Sequence, residues 1–519
     1  MVIPMKILFT YISGNSDRND QFISLLPTGL CYLHSTLREA GYQSLLANFS
    51  GWSEAAVAEQ LTALQPDIVG ISQWTHNRHA SLDLARLVRQ LCPDCTIVLG
   101  GAHATFRHDR ILEGETPVDI VVLGEGEATL LDLAGRMAAG KGWEDLAGIA
   151  FRKGGRLAVN PPQPVAADLD HIPFAALHLE DSVGVDQELQ AEFIVTARGC
   201  PSACRFCSSP GFWGRRVAFR SPESVVDEIM YLRDKYGLIY FSLRDDTFTA
   251  DRRRAIAICQ LLIERKAYVV WNCQSRVNSL DEELVGWMKR AGCECIQLGI
   301  ESGSPLMLEL LGKSITTAQV ERAAAAIKAA GINLSVYLIG DIPEEAEEDL
   351  TATIALMRRI RPDDGYVSPL AYYPGTRLFD DAVAARRVPD DIFENSPEPA
   401  IYAAAKTGLS SRRLLKAIAG AGHGGSPGRF ARQKRLLGYC HATNVLAGEW
   451  YRQSGDAAAA EREFREICDR EPDNPWGWYL LGELYAERGK GNPSRECFQR
   501  VLALVPKHAP SRAAVDGKR

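Results

Sequence analysis

Three cysteines carry the most specific chemical signal in this chain of 519 residues. The run Arg198-Gly199-Cys200-Pro201-Ser202-Ala203-Cys204-Arg205-Phe206-Cys207 spaces them as Cys-x-x-x-Cys-x-x-Cys. Thiolates are the usual protein ligands of iron–sulfur clusters. Three thiolates on a four-iron cluster leave one iron without a protein ligand, and that iron can chelate the amino and carboxylate groups of a small molecule. Structural zinc wants four ligands. No fourth is adjacent, but a His or Cys from elsewhere would complete a zinc site, so spacing alone leaves both open. The 13 cysteines are odd in number and spread along the chain. That pattern argues against a secreted disulfide scaffold and for a reducing cytoplasm.

The triplet needs a frame to hold it. Residues 191–380 alternate strand and helix patterns, with strands expected at 192–196, 238–243, 268–273, 295–299, 333–339 and 365–370. Six strand–helix units predict an open, partial barrel rather than a closed eightfold one. The clearest helix starts at Ser221, which can cap, with Pro222 in first position and Gly237 after the end. A second alternating series fills 5–140, with strands at 6–10, 67–72, 96–99 and 119–123 and helices such as 30–40 and 81–91. In the latter, Leu84, Leu87, Val88 and Leu91 share a face. Short apolar strands with crossover helices predict a doubly wound parallel sheet, which binds ligands outside the carboxyl ends of its strands. Between the two series, Asn160-Pro161-Pro162 and Pro164 predict a linker over 141–190, with a short hairpin at Gly154-Gly155.

The cysteine run, with Phe206 between its last two cysteines and its place after the first barrel strand, resembles the radical S-adenosylmethionine (SAM) superfamily. Its members reduce the cluster, cleave SAM and form a 5′-deoxyadenosyl radical. The resemblance implies Cys200, Cys204 and Cys207 as 4Fe–4S ligands. Its SAM contacts, with Phe206, would follow successive strands. Asp245 and Asp246 would meet the methionine amino group, although many members have Gly-Gly-Glu there. Glu301 and Ser302 would meet the ribose, and Gly340 and Glu344 the adenine.

In the amino-terminal series, Gly100-Gly101-Ala102-His103-Ala104-Thr105 and Gly124-Glu125-Gly126-Glu127 open turns where backbone can approach a large ligand. Neither is a dinucleotide fingerprint, and on shape alone a nucleotide or phosphate site fits equally. Together with Pro27-Thr28-Gly29-Leu30 and the Ser72-Gln73-Trp74-Thr75 turn, they resemble the cobalamin-binding domain of class B radical SAM enzymes. That resemblance implies cobalamin contacts from Ser72, Trp74, Thr75, Gly100, Gly101, Ala102, His103, Gly124, Glu125 and Gly126. Many cobalamin proteins carry Asp-x-His-x-x-Gly after the first strand. Here residues 11–20 have no histidine, so no imidazole from that loop should reach cobalt. His76, His79 and His103 read as loop or surface histidines.

Gly448, Tyr451, Gly455, Phe464 and Pro472 recur as Gly482, Tyr485, Gly489, Phe498 and Pro506, an offset of 34 residues. This is the tetratricopeptide period of paired helices. Two repeats are few to stand alone, so they should pack on the preceding helices. The expected order is therefore 1–140 cobalamin-binding domain, 141–190 linker, 191–380 radical SAM partial barrel, 381–443 helical extension with the glycine-rich run 420–425, and 444–519 repeats. The fold class is α/β with an all-α carboxyl-terminal region.

Other features read blandly. Cys92-Pro93-Asp94-Cys95 precedes a strand rather than opening a helix, Cys293 and Cys295 read as core, and Arg215, Arg216 and Arg220 as a solvated face. A net charge of -7 leaves no nucleic-acid footprint. No signal peptide and no apolar run long enough to span a membrane is visible. The resemblance implies a methyltransferase acting on an unactivated carbon: one SAM methylates cobalt, a second supplies the radical, and the methylated cobalamin delivers the group. Cyclisation or carbon–carbon bond formation on the same scaffold, and a non-catalytic cobalamin sensor acting through the repeats, stay open. A low-potential donor such as flavodoxin or ferredoxin, a protein partner at the repeats, and a small-molecule, lipid, tetrapyrrole or peptide substrate are the expected partners.

Overall fold

The computed structural model describes residues 5–13, 25–166, 168–421 and 425–518. Most of the histidine-free 11–20 loop and the centre of the 420–425 glycine run lie outside the described residues. The chain forms two compact units. One comprises Met1–Ala191, Gly199–Ala218 and Ala371–Tyr402; the other comprises Glu192–Arg198, Phe219–Leu370 and Ala403–Arg519.

The first unit is built on an eight-stranded sheet. Its strands are β1 (Lys6–Tyr11), β2 (Gln43–Asn48), β3 (Ile68–Ser72), β4 (Thr96–Gly100), β5 (Ile120–Val122), β6 (Ile149–Lys153), β7 (Arg156–Val159) and β8 (Ser182–Val183), in the order β7-β6-β5-β4-β3-β1-β2-β8. β1 to β5 pair in parallel, as the apolar runs predict. Every residue of β3 is buried, because helices cover the sheet. Helix Arg78–Leu91 buries Leu84 and Val88, with Leu87 and Leu91 packed against the same core. Each such buried aliphatic side chain contributes on the order of 2 kcal/mol.

The stretch 141–190 is not a linker. Gly154 and Gly155 adopt φ of +58° and +79° and turn the hairpin β6–β7, which adds antiparallel to β5. At the opposite edge β8 adds to β2. Both additions use long-range pairing, and local periodicity does not report that.

The second unit carries six parallel strands, Phe193–Ile194, Tyr240–Leu243, Val270–Ser275, Cys293–Glu301, Asn333–Gly340 and Asp364–Pro369, neighbouring one another in chain order. The first and last do not pair, so the barrel is open, as expected. Helix Pro222–Tyr236 is capped by the Ser221 hydroxyl, which accepts from Ser224 N–H, and ends at Gly237 with φ +75°.

The 34-residue period has a packing cause. Gly448 and Gly482 leave room for the rings of Phe464 and Phe498, and Gly455 and Gly489 turn with φ of +81° and +70°. The first repeat helix is His441–Gln453, so the expected boundary at 444 falls inside it. As expected, the repeats pack on a preceding helix: Phe430 meets Trp450, and Lys434 pairs with Glu463 and Glu466. They also pack on the barrel. Lys289, fully buried, donates to the carbonyls of Gly331 and Ala442, and Cys440 donates to Lys289 O. Among the described residues, no helix is long and apolar enough to cross a membrane.

Candidate functional site

The cysteine loop belongs to the first unit. Gly199 opens it at φ +97°, where any Cβ would strike the carbonyl of Arg216. Cys204 is buried, Cys200 and Cys207 are half-buried, and all three are free thiols. Cys207 N–H donates to Cys204 O at 3.4 Å. Two contacts brace the loop. Leu378 N–H donates to Arg205 O at 2.7 Å, and Arg205 pairs with Asp381 at 2.5 Å. The following helix, Ser209–Trp213, sets Gly211 and Phe212 against Phe106. Phe206 is half-buried beside the thiols in sequence. Among the described residues no three His, Cys, Asp or Glu side chains gather tightly enough to hold a single metal ion. Three thiols on one braced loop suit an iron–sulfur cluster, whose usual protein ligands are thiolates.

In the second unit, the strand ends are more heavily engaged than expected. Asp245 is buried and accepts from Thr196 N–H at 2.6 Å, Thr196 Oγ1–H at 2.5 Å and Ala197 N–H at 2.9 Å. Burial raises its proton affinity, and the Thr196 bonds oppose that. Its oxygens fix the backbone leading to the cysteine loop. Asp246, one residue on, is exposed. Arg254 donates to Thr196 O at 2.7 Å and to Arg220 O at 2.6 Å. Arg220 is itself buried in an ion pair with Glu228, correcting its reading as a solvated residue.

Glu301 has φ +66° and a buried ion pair with Lys313 at 2.8 Å. Ser302 Oγ lies 3.0 Å from Thr353 Oγ1. Gly340 passes close to Ser411, and its neighbour Asp341 accepts from Gly408, Ser410 and Ser411. Glu344 sits on an exposed turn.

One face of this sheet is polar. Tyr240 O–H donates to Glu294 at 3.0 Å, Asn272 donates to Tyr240 OH at 2.7 Å, and Ser242 donates to Asn272 at 2.9 Å. Tyr337 donates to Gln297 at 2.9 Å. Sequence reasoning did not single out Arg244, Thr196, Lys313 or Arg254. The signal was present for Arg244, which continues the polar alternation Tyr240, Ser242, Arg244. Cys293 is buried and Cys295 half-buried, and burial raises the Cys295 thiol.

In the first unit, three adjacent strands end in the predicted turns. Ser72 ends β3, Gly100 ends β4, and Gly124 follows β5. Gly101 needs its glycine, since φ is +99° and a Cβ would stand 2.7 Å from Gln73 O. A Cβ at Gly100 or Gly124 would instead meet open space, which fits a large bound group above the strand ends. Trp74 is 43% exposed there. Ala102 starts helix Ala102–Glu113, and Gly126 caps helix Glu127–Ala138. Glu125 accepts from Ala166 N–H at 2.8 Å.

His103 is not a loop or surface histidine. It is buried on the first turn of its helix, with Nδ1 3.2 Å from Thr75 Oγ1 and its ring edge-on to Phe393. Burial, with Arg78 and Arg107 nearby, pushes its pKa down to about 3, so the imidazole is neutral. His76 is exposed and bonds Tyr11 OH at 2.7 Å, and His79 bonds Ser396 O at 2.7 Å. Cys92 and Cys95 are buried free thiols, and burial pushes Cys95 up to about 12, far from a redox pair.

Comparison with known proteins agrees with this geometry. Residues 194–357 match the radical SAM superfamily, 24–134 the B12 binding domain and 451–515 a tetratricopeptide repeat. The chain is 32% identical over 362 residues to an uncharacterized methyltransferase of Pyrococcus horikoshii, covering 69% of this chain and 78% of that protein. It is 31% identical over 386 residues to the anaerobic magnesium-protoporphyrin IX monomethyl ester cyclase of Rubrivivax gelatinosus, covering 72% and 69%. Its fold is similar to that of TsrM, a radical SAM methyltransferase from Kitasatospora setae solved with cobalamin and a 4Fe–4S cluster bound. The TM-score is 0.65 at 16% identity, covering 90% of this chain and all of that one. This chain therefore belongs to the cobalamin-dependent radical SAM enzymes, whose cofactors are a 4Fe–4S cluster, SAM and cobalamin.

Proposed function

We propose that the protein methylates an unactivated carbon of a small-molecule substrate. One observation carries this reading: the cysteine loop is built into the same compact unit as the cobalamin-type sheet. Phe106, on the helix that starts from the Gly100-Gly101 turn, packs on Gly211 and Phe212 of the loop. A radical source and a methyl carrier share one scaffold there. When bound, the cluster with SAM supplies a hydrogen-abstracting radical and cobalamin supplies a transferable methyl group.

The chain's own residues divide the remaining work. Cys200, Cys204 and Cys207 would hold the cluster. Phe206 and Asp246 are assigned to SAM by the family resemblance, and Asp245 holds the backbone of Thr196 and Ala197. Glu301, with Ser302, presents a carboxylate that Lys313 keeps oriented, while Gly340 and Glu344 border the next strand end. Ser72, Trp74, Thr75 and the glycine turns at Gly100-Gly101 and Gly124-Glu125-Gly126 cradle cobalamin, with Ala102 and neutral His103 behind them. An external low-potential donor such as flavodoxin or ferredoxin reduces the cluster, and the repeats offer a surface for a protein partner.

The likeness to the Rubrivivax cyclase favours oxidative cyclisation as the second reading. Co-products separate the two. Methyl transfer yields equal amounts of 5′-deoxyadenosine and S-adenosylhomocysteine, because the methyl donor leaves as the latter. Cyclisation yields 5′-deoxyadenosine without S-adenosylhomocysteine. Quantifying both in anaerobic turnover decides, and a product-forming reaction without S-adenosylhomocysteine refutes the proposal.

A further inference from the structure

We infer that the substrate carries a carboxylate or phosphate group and that Arg244 receives it. The inference rests on the enzyme reading above, and names the chemistry of its substrate.

Phe241 and Leu243 are fully buried on one face of the second barrel strand, whereas Tyr240 and Ser242 join the polar network on the other. Arg244 N–H bonds Ile194 O at 2.8 Å, which continues the ladder and sets Arg244 on the polar face. Its guanidinium carbon lies 4.6 Å from the centre of the Phe193 ring. Tyr337, three strands further along the sheet, extends the same polar face through its bond to Gln297.

What Arg244 lacks is an anion. The buried arginines of this chain are all engaged: Arg220 pairs with Glu228, Arg107 pairs with Glu394 at 2.8 Å and Asp390 at 3.2 Å, and Arg78 and Arg254 donate to backbone carbonyls. Among the described residues, Arg244 forms no ion pair. Glu192 acts on it only at longer range, and burial raises that carboxylate's own proton affinity. A partly desolvated guanidinium costs free energy unless a charged partner arrives. Its planar fork matches a carboxylate or phosphate. The hydrogen-bonding groups nearby, Gln297 with Tyr337 and Asn272 with Ser242, suit a polar molecule better than a hydrocarbon.

Two sources could bring that oxyanion, the substrate or the carboxylate of SAM itself. The test uses full-length reconstituted protein and a metabolite extract of the source organism, split at neutral pH into pools retained and not retained by an anion exchanger. The readouts are stimulation of 5′-deoxyadenosine formation by each pool and the Kd for SAM. The expected result is stimulation by the retained pool only, reduced about tenfold or more in R244Q and partly restored in R244K. R244Q keeps the wild-type Kd for SAM, and wild-type iron content shows that it has folded. Stimulation by the unretained pool alone, or by neither pool, overturns the inference. So does a Kd for SAM raised about tenfold in R244Q, since the anion would then be SAM's. Incorporation of label from deuteromethyl SAM is scored separately. Its absence alongside stimulation would count against methyl transfer while leaving the anion site standing.

Discussion

The two sheets of this enzyme start from the same plan and diverge in what they do with their faces. Both are parallel, both are wound with helices, and both collect functional candidates at the carboxyl ends of their strands. In the first unit β3 is buried along its whole length, so its strands read as unbroken apolar runs. In the second, Tyr240, Ser242 and Arg244 alternate with Phe241 and Leu243, and Asn333, Ser335 and Tyr337 alternate with Leu334 and Val336. A sheet buried on both sides can offer a ligand only its ends. A curved sheet with one polar face also offers a lined interior. The first suits a large cofactor laid across strand ends, and the second suits a polar substrate held inside.

The largest effect should come from breaking the cluster loop while sparing the buried thiols beside the first unit's sheet. Cys204→Ser should abolish both reconstituted iron and 5′-deoxyadenosine formation. Cys92→Ser and Cys95→Ser, which alter buried thiols next to β4, should keep both. Iron analysis and product quantification check this, and equal losses in all three variants would erase the distinction.

Next, the strand-end glycines should fail selectively. Gly101→Val introduces a Cβ against Gln73 O in a left-handed conformation and should weaken cobalamin retention about tenfold or more. Cluster iron should persist. Equilibrium dialysis with hydroxocobalamin measures the first, and loss of iron along with cobalamin would show that the two sites do not separate.

A smaller effect is expected in the curved sheet. Glu301→Gln leaves the Lys313 ammonium buried without its carboxylate, which should cost about 3 kcal/mol. Chemical denaturation followed by tryptophan fluorescence, to which the buried Trp271 of this unit contributes, should show a lowered midpoint. An unchanged midpoint would mean that the pair is not structural.

The smallest effect concerns pH. Burial holds His34 and His103 neutral, with pKa values pushed down from 6.5 to about 4 and about 3. Unfolded, both take up a proton below about 6.5, whereas folded they resist it. Stability of the first unit is therefore full above pH 6.5 and declines as pH falls towards 4. Thermal melts across that window should show the decline, with a shallower slope in His34→Gln.

Much of this was legible in the residues. The cysteine spacing, the glycine turns, the strand alternation and the 34-residue offset are local signals, and each has a local cause in the structure. What was not legible depends on distant partners. Nothing near Asp245 reveals that its carboxylate turns back to Thr196 and Ala197. Nothing near Arg220 reveals that Glu228 buries it. The segment 141–190 looks like a linker until its short strands find β5 and β2. His103 looked like a loop residue because the helix it opens follows directly on the turn at Gly100-Gly101.

Methyl transfer from SAM to carbon is read from the fate of the methyl group. Reconstituted protein is incubated anaerobically with deuteromethyl SAM, cobalamin, a low-potential reductant and metabolite extract, and the products are read by mass spectrometry. The expected product has gained one methyl group bearing three deuterium atoms. A product that has lost hydrogens and carries no deuterium would contradict methyl transfer.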